Sequence, residues 1–300
     1  MNRLYIINPA SGVIRVNRYK SLINKLTKKY VPLDSIYIVE TRMPNDIKKL
    51  VEEFIIEHGK EDLIVYVVGG DGTLNEAISV LVSNKIPLVP VPAGTGNDYA
   101  KSIYTYITAR KIIIESFNAT YRTVDVMKTL KGYALNVVNC GFDAKVGNNI
   151  KYFRKLPIIN GTAKYNLSIA LTLLFNKNYK CKIRIDNQPI KGNFTLVAIG
   201  KGRFYGGGVE VLPHARLNDK KIDVCLVRAT SILEKIRFLP KLKKGKHEEI
   251  PGVKMYKCSK VTVVSRKKIP MSIDGETFAA NKLKVEILPQ VLKIPIDTKK

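Results

Sequence analysis

The sequence predicts an α/β domain with a mostly parallel sheet, followed by a β-rich, sandwich-like domain. Three observations carry this. The chain has 300 residues, more than one typical domain and enough for two with separate cores. Its first third alternates strand-length apolar runs with helix-period patterns. From about Thr120 onward the text becomes a succession of short strand patterns punctuated by Gly, Asn and Pro. The expected division is 1–125 and 126–285, with 286–300 as a tail returning to the first domain.

In the first domain, "RLYIIN" reads as a strand, and Tyr19, Leu22, Ile23, Leu26 and Tyr30 recur at helical spacing. "SIYIVE" is a second strand, and Ile47, Leu50, Val51, Phe54 and Ile55 mark a second amphipathic helix. "DLIVYVV", the helix "TLNEAISVLV" and the strand "PLVPVP" follow. This βαβαβαβ order implies a parallel sheet covered by helices on both faces, with ligands beyond the carboxyl ends of the strands.

The second domain contributes "YRTVDVMKT", "GYALNVVNCGF", "KCKIRIDN", "NFTLVAIG", "KIDVCLVR", "KVTVVS" and "KLKVEILP" as strands. Helical patterns interrupt them near Asn148 to Arg154 and Ala163 to Phe175. The terminal "DTKK" is expected to fray.

Composition narrows the function. Lys plus Arg number 51 against 25 for Asp plus Glu, a formal net charge of +26. Such a chain favours anionic partners: nucleic acid, an anionic membrane surface or phosphorylated ligands. No recognition motif for nucleic acid accompanies the charge, which argues against that partner. Cys140, Cys181, Cys225 and Cys258 lie far apart without a C-x-x-C, against a zinc site or disulfide framework and in favour of a reducing cytosol. The opening apolar run is too short for a signal peptide, and no stretch of about 18 apolar residues occurs. A protein at most peripheral to a membrane is expected. His58, His214 and His247 share no motif and are expected only to pack or face solvent.

The chemistry concentrates in loops. In "VVGGDGTLNEAISV", a β-branched strand end meets Gly69, Gly70 and Gly72 before a helix. Glycines there let a ligand approach the backbone, and a helix N-terminus favours an anion, so the stretch reads as a phosphate cradle. It lacks the G-K-[ST] of a Walker A loop and the G-x-G-x-x-G spacing. Asp71 inside a cradle would repel phosphate unless a divalent cation intervened, so it reads as a metal or catalytic acid position. The competing reading is a tight turn with Asp71 as a capping side chain. Thr73 is a candidate helix cap. "INPASG" (Ile7 to Gly12) and "PAGTGNDYA" (Pro92 to Ala100) end two neighbouring strands and would complete a nucleotide-sized polar crevice.

"NPASG", "GGDGTLNE" and "PAGTGNDYA", in this order, resemble the catalytic domain of the diacylglycerol kinase family, which includes bacterial soluble lipid kinases and sphingosine kinases. "GRFYGGGVEVLPHARLNDKKIDV" and "IPMSIDGETF" extend the resemblance over nearly the whole chain. It implies an NAD-kinase/diacylglycerol-kinase-like fold and an ATP- and magnesium-dependent lipid kinase, with diacylglycerol as the foremost acceptor. Phosphatidylglycerol, sphingoid bases, ceramide, a soluble alcohol or NAD remain alternatives, as does a non-catalytic nucleotide-binding regulator.

By the same resemblance, Asn8, Pro9, Ala10, Ser11, Gly12, Thr41, Gly70, Asp71, Gly72, Thr73, Leu74, Asn75, Glu76, Thr95 and Asp98 would contact ATP. Glu276 would accept the proton from the attacking alcohol, with Asp274 as its partner or alternate. Asp71, Asp98 and Asp125 match an acidic network joining metal, water and active site. A structural magnesium would sit at "ARLNDKKIDV", held by the Asp219 carboxylate and the carbonyls of Arg216 and Lys221. Asn218 and Lys220 there replace the family's usual acid and glycine. The active site is expected in the cleft between the domains.

Expected partners are the lipid substrate and an anionic membrane surface at the inner face of the membrane, with a homodimer left open. Ile232, Leu233, Ile236 and Leu239, followed by Lys241, Lys243, Lys244 and Lys246, form a candidate membrane-facing segment whose apolar face packs on the second domain.

Overall fold

The computed structural model describes residues 1–12, 15–141, 177–229, 231, 234, 240–242 and 245–295. The helical patterns expected at 148–154 and 163–175, Ile232, Leu233, Ile236, Leu239, Lys243, Lys244 and the terminal "DTKK" lie outside these residues. The chain forms two compact units, Met1–Val126 with Pro289–Lys300, and Met127–Leu288.

In the first unit, β1 (Asn2–Ile7), α1 (Val16–Tyr30), β2 (Ser35–Glu40), α2 (Asp46–His58), β3 (Leu63–Gly69), α3 (Asp71–Asn84) and β4 (Leu88–Pro92) alternate strictly. Two further helices follow, α4 (Asp98–Ile103) and α5 (Ala109–Phe117). The sequence reading did not single out α5; its helical face is only Ile112, Ile113 and Ser116. The four strands are parallel, in the order β2-β1-β3-β4. Every residue of β3 is buried, as a central parallel strand covered on both faces requires. The chain steps from β1 outward to β2 and returns to the other side of β1 as β3. That reversal makes the carboxyl ends of β1 and β3 the ligand-binding edge of such sheets.

The second sheet is mostly antiparallel and, among the described residues, nine-stranded. Its strands are β5 (Tyr121–Thr129), β6 (Gly132–Ala134), β7 (Val137–Cys140), β8 (Tyr179–Ile185), β9 (Gln188–Gly200), β12 (Ile222–Arg228), β13 (Val253–Cys258), β14 (Lys260–Ile273) and β15 (Glu276–Pro295). A separate two-stranded ribbon joins β10 (Phe204–Tyr205) to β11 (Val209–Glu210). β7 and β8 lie in line between β9 and β14, because β9 pairs β7 through Val197–Gly200 and continues onto β8 through Gln188–Phe194. β14 pairs the same two strands in the same succession.

Period-two alternation puts Val138, Cys140, Val197, Ile199, Val224 and Leu226 in one core, which Met127, Ala134, Leu283 and Val285 help to close. The intervening residues Val137, Leu196, Ala198, Cys225 and Val227 form a second core on the opposite face with Val211 and Leu212. Both faces are thus buried. The expected strand "GYALNVVNCGF" splits into β6 and β7, since the N–H groups of Leu135, Asn136 and Val137 turn to the Asp274 carboxylate. All four cysteines are free and buried, and burial pushes the Cys225 and Cys258 thiols up to about 12. No helix among the described residues is long and apolar enough to cross a membrane.

Candidate functional site

Three loops at the carboxyl ends of β1, β3 and β4 are tied to one another. Asn8 Nδ2 donates to Thr73 Oγ1 at 2.9 Å, and the Ser11 hydroxyl lies 2.9 Å from the same oxygen. Asn8 Oδ1 in turn accepts the Ala10 N–H, fixing the loop after β1. Thr73 therefore does not cap α3 as expected. The N-cap is Gly70, whose lack of a side chain leaves the helix start without a side-chain cap.

The glycines have two duties here. A Cβ on Gly94 would stand 2.6 Å from Gly70 Cα, and one on Gly12 would stand 2.7 Å from the Ala93 carbonyl oxygen. The three loops consequently pack backbone against backbone, and with glycine as its N-cap the start of α3 carries no capping side chain from that residue, which suits a phosphate. Asn97, left-handed at φ 51°, closes the third loop by accepting the Gly94 N–H at 2.9 Å and donating to the Gly94 carbonyl at 2.7 Å.

Asp71 serves a capping role, but for a different helix from its own. Its Oδ2 accepts the Asp98 N–H at 3.0 Å and its Oδ1 the Tyr99 N–H at 2.9 Å, at the N-terminus of α4. A carboxylate there satisfies two helix-end donors and complements the helix dipole. Asp98 is buried and pairs with Lys101 at 3.0 Å. The Asp71 and Asp98 carboxylates both approach Gly96, 3.4 and 3.6 Å from where its Cβ would stand.

Other expected contacts divide in two. Pro9, Ala10, Gly12 and Thr95 are exposed, and Gly70, Gly72, Asn75 and Glu76 are half-buried at the same edge. Glu76 also accepts the Asn45 N–H at 3.1 Å. Thr41 follows β2 directly, its N–H donating to the Ile7 carbonyl. Leu74 is a correction: its side chain is in the core and its N–H is spent on the Gly70 carbonyl, so neither faces a nucleotide. Asp125 is fully buried, and its carboxylate accepts the Gln290 N–H at 3.0 Å. Among the described residues no three His, Cys, Asp or Glu side chains gather as a metal group.

In the second unit the D-G-E turn sets its two carboxylates in different surroundings. Asp274, buried and left-handed at φ 47°, accepts three backbone N–H groups, from Leu135 at 2.7 Å, Asn136 at 2.9 Å and Val137 at 3.0 Å. Glu276 is exposed, following Gly275 at φ 97°. Asp274 is thus a brace that holds the turn, and Glu276 is the carboxylate presented to solvent.

The turn expected to hold magnesium holds ammonium groups instead. Lys201 Nζ, fully buried, lies 2.6 Å from Asp219 Oδ1 and 2.5 Å from the Lys221 carbonyl oxygen. Lys257 Nζ bonds Asp219 Oδ2 at 2.8 Å, Asp223 Oδ2 at 2.9 Å and the His214 carbonyl at 3.2 Å. Burial alone would raise the Asp219 carboxyl, but its bonds to Lys201 and Lys257 hold it below the usual range. Arg216 is exposed. This donor set does not fit a magnesium ion, which needs close, near-octahedral oxygen ligands rather than a carboxylate already shared by two cations. Sequence reasoning missed Lys201 because it lies 18 residues from its partner, outside the turn's text.

The model of the diacylglycerol kinase catalytic domain matches residues 2–129, and that of the YegS C-terminal NAD kinase beta sandwich-like domain matches residues 136–296. Proteins named "Putative lipid kinase" from Staphylococcus aureus strains Mu3 and Newman are 26% identical over 259 residues, 83% of this chain and 82% of theirs. A crystal structure of a "putative diacylglycerol kinase" from Bacillus anthracis superposes with a TM-score of 0.81 at 22% identity, covering 100% of this chain and 98% of that one. A second diacylglycerol kinase structure from that organism gives 0.73 at 19% identity, covering 99% and 97%. These two structures bear on the fold, an α/β unit followed by an antiparallel β unit. With both family models matched in order along one chain, this protein belongs to the diacylglycerol kinase catalytic-domain family.

Proposed function

We propose that this protein is an ATP- and magnesium-dependent lipid kinase that transfers the γ-phosphate to a lipid hydroxyl, foremost that of diacylglycerol, yielding phosphatidic acid. The observation that carries the reading is the cradle itself: the loop after β3 bonded to those after β1 and β4 at the switch point of a parallel sheet, beside a helix start whose N-cap is glycine. The exposed Glu276 beside a braced Asp274 supports a chain that does chemistry rather than only binding.

In this reading the amides at the start of α3 and the loop of Asn8 to Gly12 hold the nucleotide phosphates. A magnesium ion bound with ATP would supply positive charge to offset that on the transferred group. The attacking lipid oxygen bonds to the γ-phosphorus as the bond to the β–γ bridging oxygen breaks, and Glu276 takes the hydroxyl proton. Asp71 and Asp274 are positioning residues, one holding α4 and the other the D-G-E turn. The formal charge of +26 suits adsorption to an anionic bilayer, where the acceptor resides.

The test is transfer of labelled γ-phosphate from ATP to diacylglycerol, phosphatidylglycerol, sphingoid base and ceramide in mixed micelles with magnesium. Labelled phosphatidic acid from the wild type, absent with Glu276→Gln, is the expected result. Label on another lipid keeps the chemistry and changes the acceptor. Folded, ATP-binding protein that labels no lipid on this panel overturns the lipid-kinase reading.

A further inference from the structure

We propose that Lys201 and Lys257 replace the structural metal of this turn, so that the "ARLNDKKIDV" segment is held by two ammonium groups and needs no divalent cation to fold. The inference concerns the build of the second unit and does not depend on which acceptor is phosphorylated.

Position is the first argument. Of the three oxygens that the family resemblance assigns to a cation, the Asp219 carboxylate and the Lys221 carbonyl are both bonded to Lys201 Nζ, at 2.6 and 2.5 Å. The second carboxylate oxygen of Asp219 is taken as well, by Lys257 Nζ at 2.8 Å. An ammonium donates up to three hydrogen bonds toward oxygen acceptors, so a carboxylate and a carbonyl that would ligate a metal serve equally as its acceptors.

Charge is the second. Lys201 and Lys257 bring two positive charges against the carboxylates of Asp219 and Asp223, which matches what one divalent ion would supply to the same pair. Lys201 is fully buried, where an ammonium persists only when paired and hydrogen-bonded. Adding a divalent ion to this set would leave two uncompensated charges beside a buried ammonium.

Sequence is the third. Asn218 and Lys220 stand where the family pattern has an acid and a glycine, and Lys220 is left-handed at φ 60°. The turn has one acid fewer than that pattern and a left-handed lysine where the pattern has glycine, which suits a monovalent group arriving from the end of β9. Lys201 is anchored there by its own N–H, which donates to the Asn136 carbonyl at 3.0 Å.

The experiment is thermal unfolding of the whole chain, freed of metal by chelation and measured without nucleotide, with and without millimolar magnesium. The wild-type midpoint should not change. Lys201→Ala should unfold at a lower temperature and regain part of the loss with magnesium, because removing the ammonium leaves Asp219 and the Lys221 carbonyl open to a hydrated ion. A wild-type midpoint that falls on chelation and recovers with magnesium, with Asp219→Asn insensitive to both, overturns the proposal. If that sensitivity survives in Asp219→Asn, the ion binds elsewhere and the proposal stands. Crystals of the wild type grown with manganese ask the same question without a variant. An anomalous peak within ligand distance of Asp219 Oδ1 and the Lys221 carbonyl overturns the assignment, and Lys201 Nζ at that place supports it.

Discussion

Asp71 and Tyr99 are joined by a 2.9 Å hydrogen bond from the Tyr99 N–H to Asp71 Oδ1, so the first residue of α3 holds the first turn of α4. With the 3.0 Å bond from the Asp98 N–H, one carboxylate fastens the loop after β3 to the helix after β4. An acidic residue inside the glycine-rich loops thereby has an immediate structural use, and its charge is partly balanced by the helix end it caps.

Replacing Asp71 by Asn should therefore act on two scales. The amide retains one acceptor for the two N–H groups and loses the charge, which should cost about 1–2 kcal/mol of stability. ATP affinity should fall by a further tenfold or more as the loop from Gly94 to Asn97 loosens. Urea unfolding and calorimetric ATP titration separate the two. An unchanged urea midpoint would contradict the capping role.

Gly94→Ala places a methyl group 2.6 Å from Gly70 Cα, a backbone atom that cannot rotate away. The loops must part, at a cost of about 1–3 kcal/mol. Nucleotide binding should drop much more than for Gly132→Ala in the second unit, a strained control with nothing within 4 Å of the new Cβ. Equal ATP affinities in the two variants would show that loop approach is not what the glycine serves.

The D-G-E turn separates stability from catalysis. Glu276 is exposed, so Glu276→Gln should leave the unfolding midpoint in place while transfer to lipid collapses. Asp274→Asn removes a charged acceptor from three N–H groups and should destabilise by about 2–3 kcal/mol. If Asp274→Asn were as stable as wild type, the brace would be the wrong description.

His247 should make the second unit acid-sensitive. Burial lowers its imidazole below the usual 6.5, only partly offset by its bond to the Val211 carbonyl at 3.0 Å. Below about pH 6.5 the unfolded chain binds a proton that the folded one resists, so stability falls as pH drops through that window and is full above it. His247→Gln should flatten this part of the curve, measured as unfolding midpoint between about pH 7.5 and pH 5.5. A variant with the wild-type slope would assign the effect to other groups.

By itself, the sequence determined the alternation of strand and helix in the first unit, the β-rich character of the second and the three glycine-containing loops at one sheet edge. These follow from local rules: hydrophobic period, β-branched runs, and glycine before a helix. Tertiary structure decided what those residues do with their hydrogen bonds. Asp71 caps a helix that begins 27 residues later, and Asp125 meets Gln290 across 165 positions. Asp274 withdraws 137 to 139 positions back to brace residues that would otherwise continue a strand. Lys201, unremarkable in its own stretch, becomes the cation of a turn 18 residues away. In each case the side chain's chemistry was evident from its letter, but its partner was chosen by chain segments brought together only on folding. Burial then makes an unpaired charge too costly to leave, so the partner that arrives sets the role.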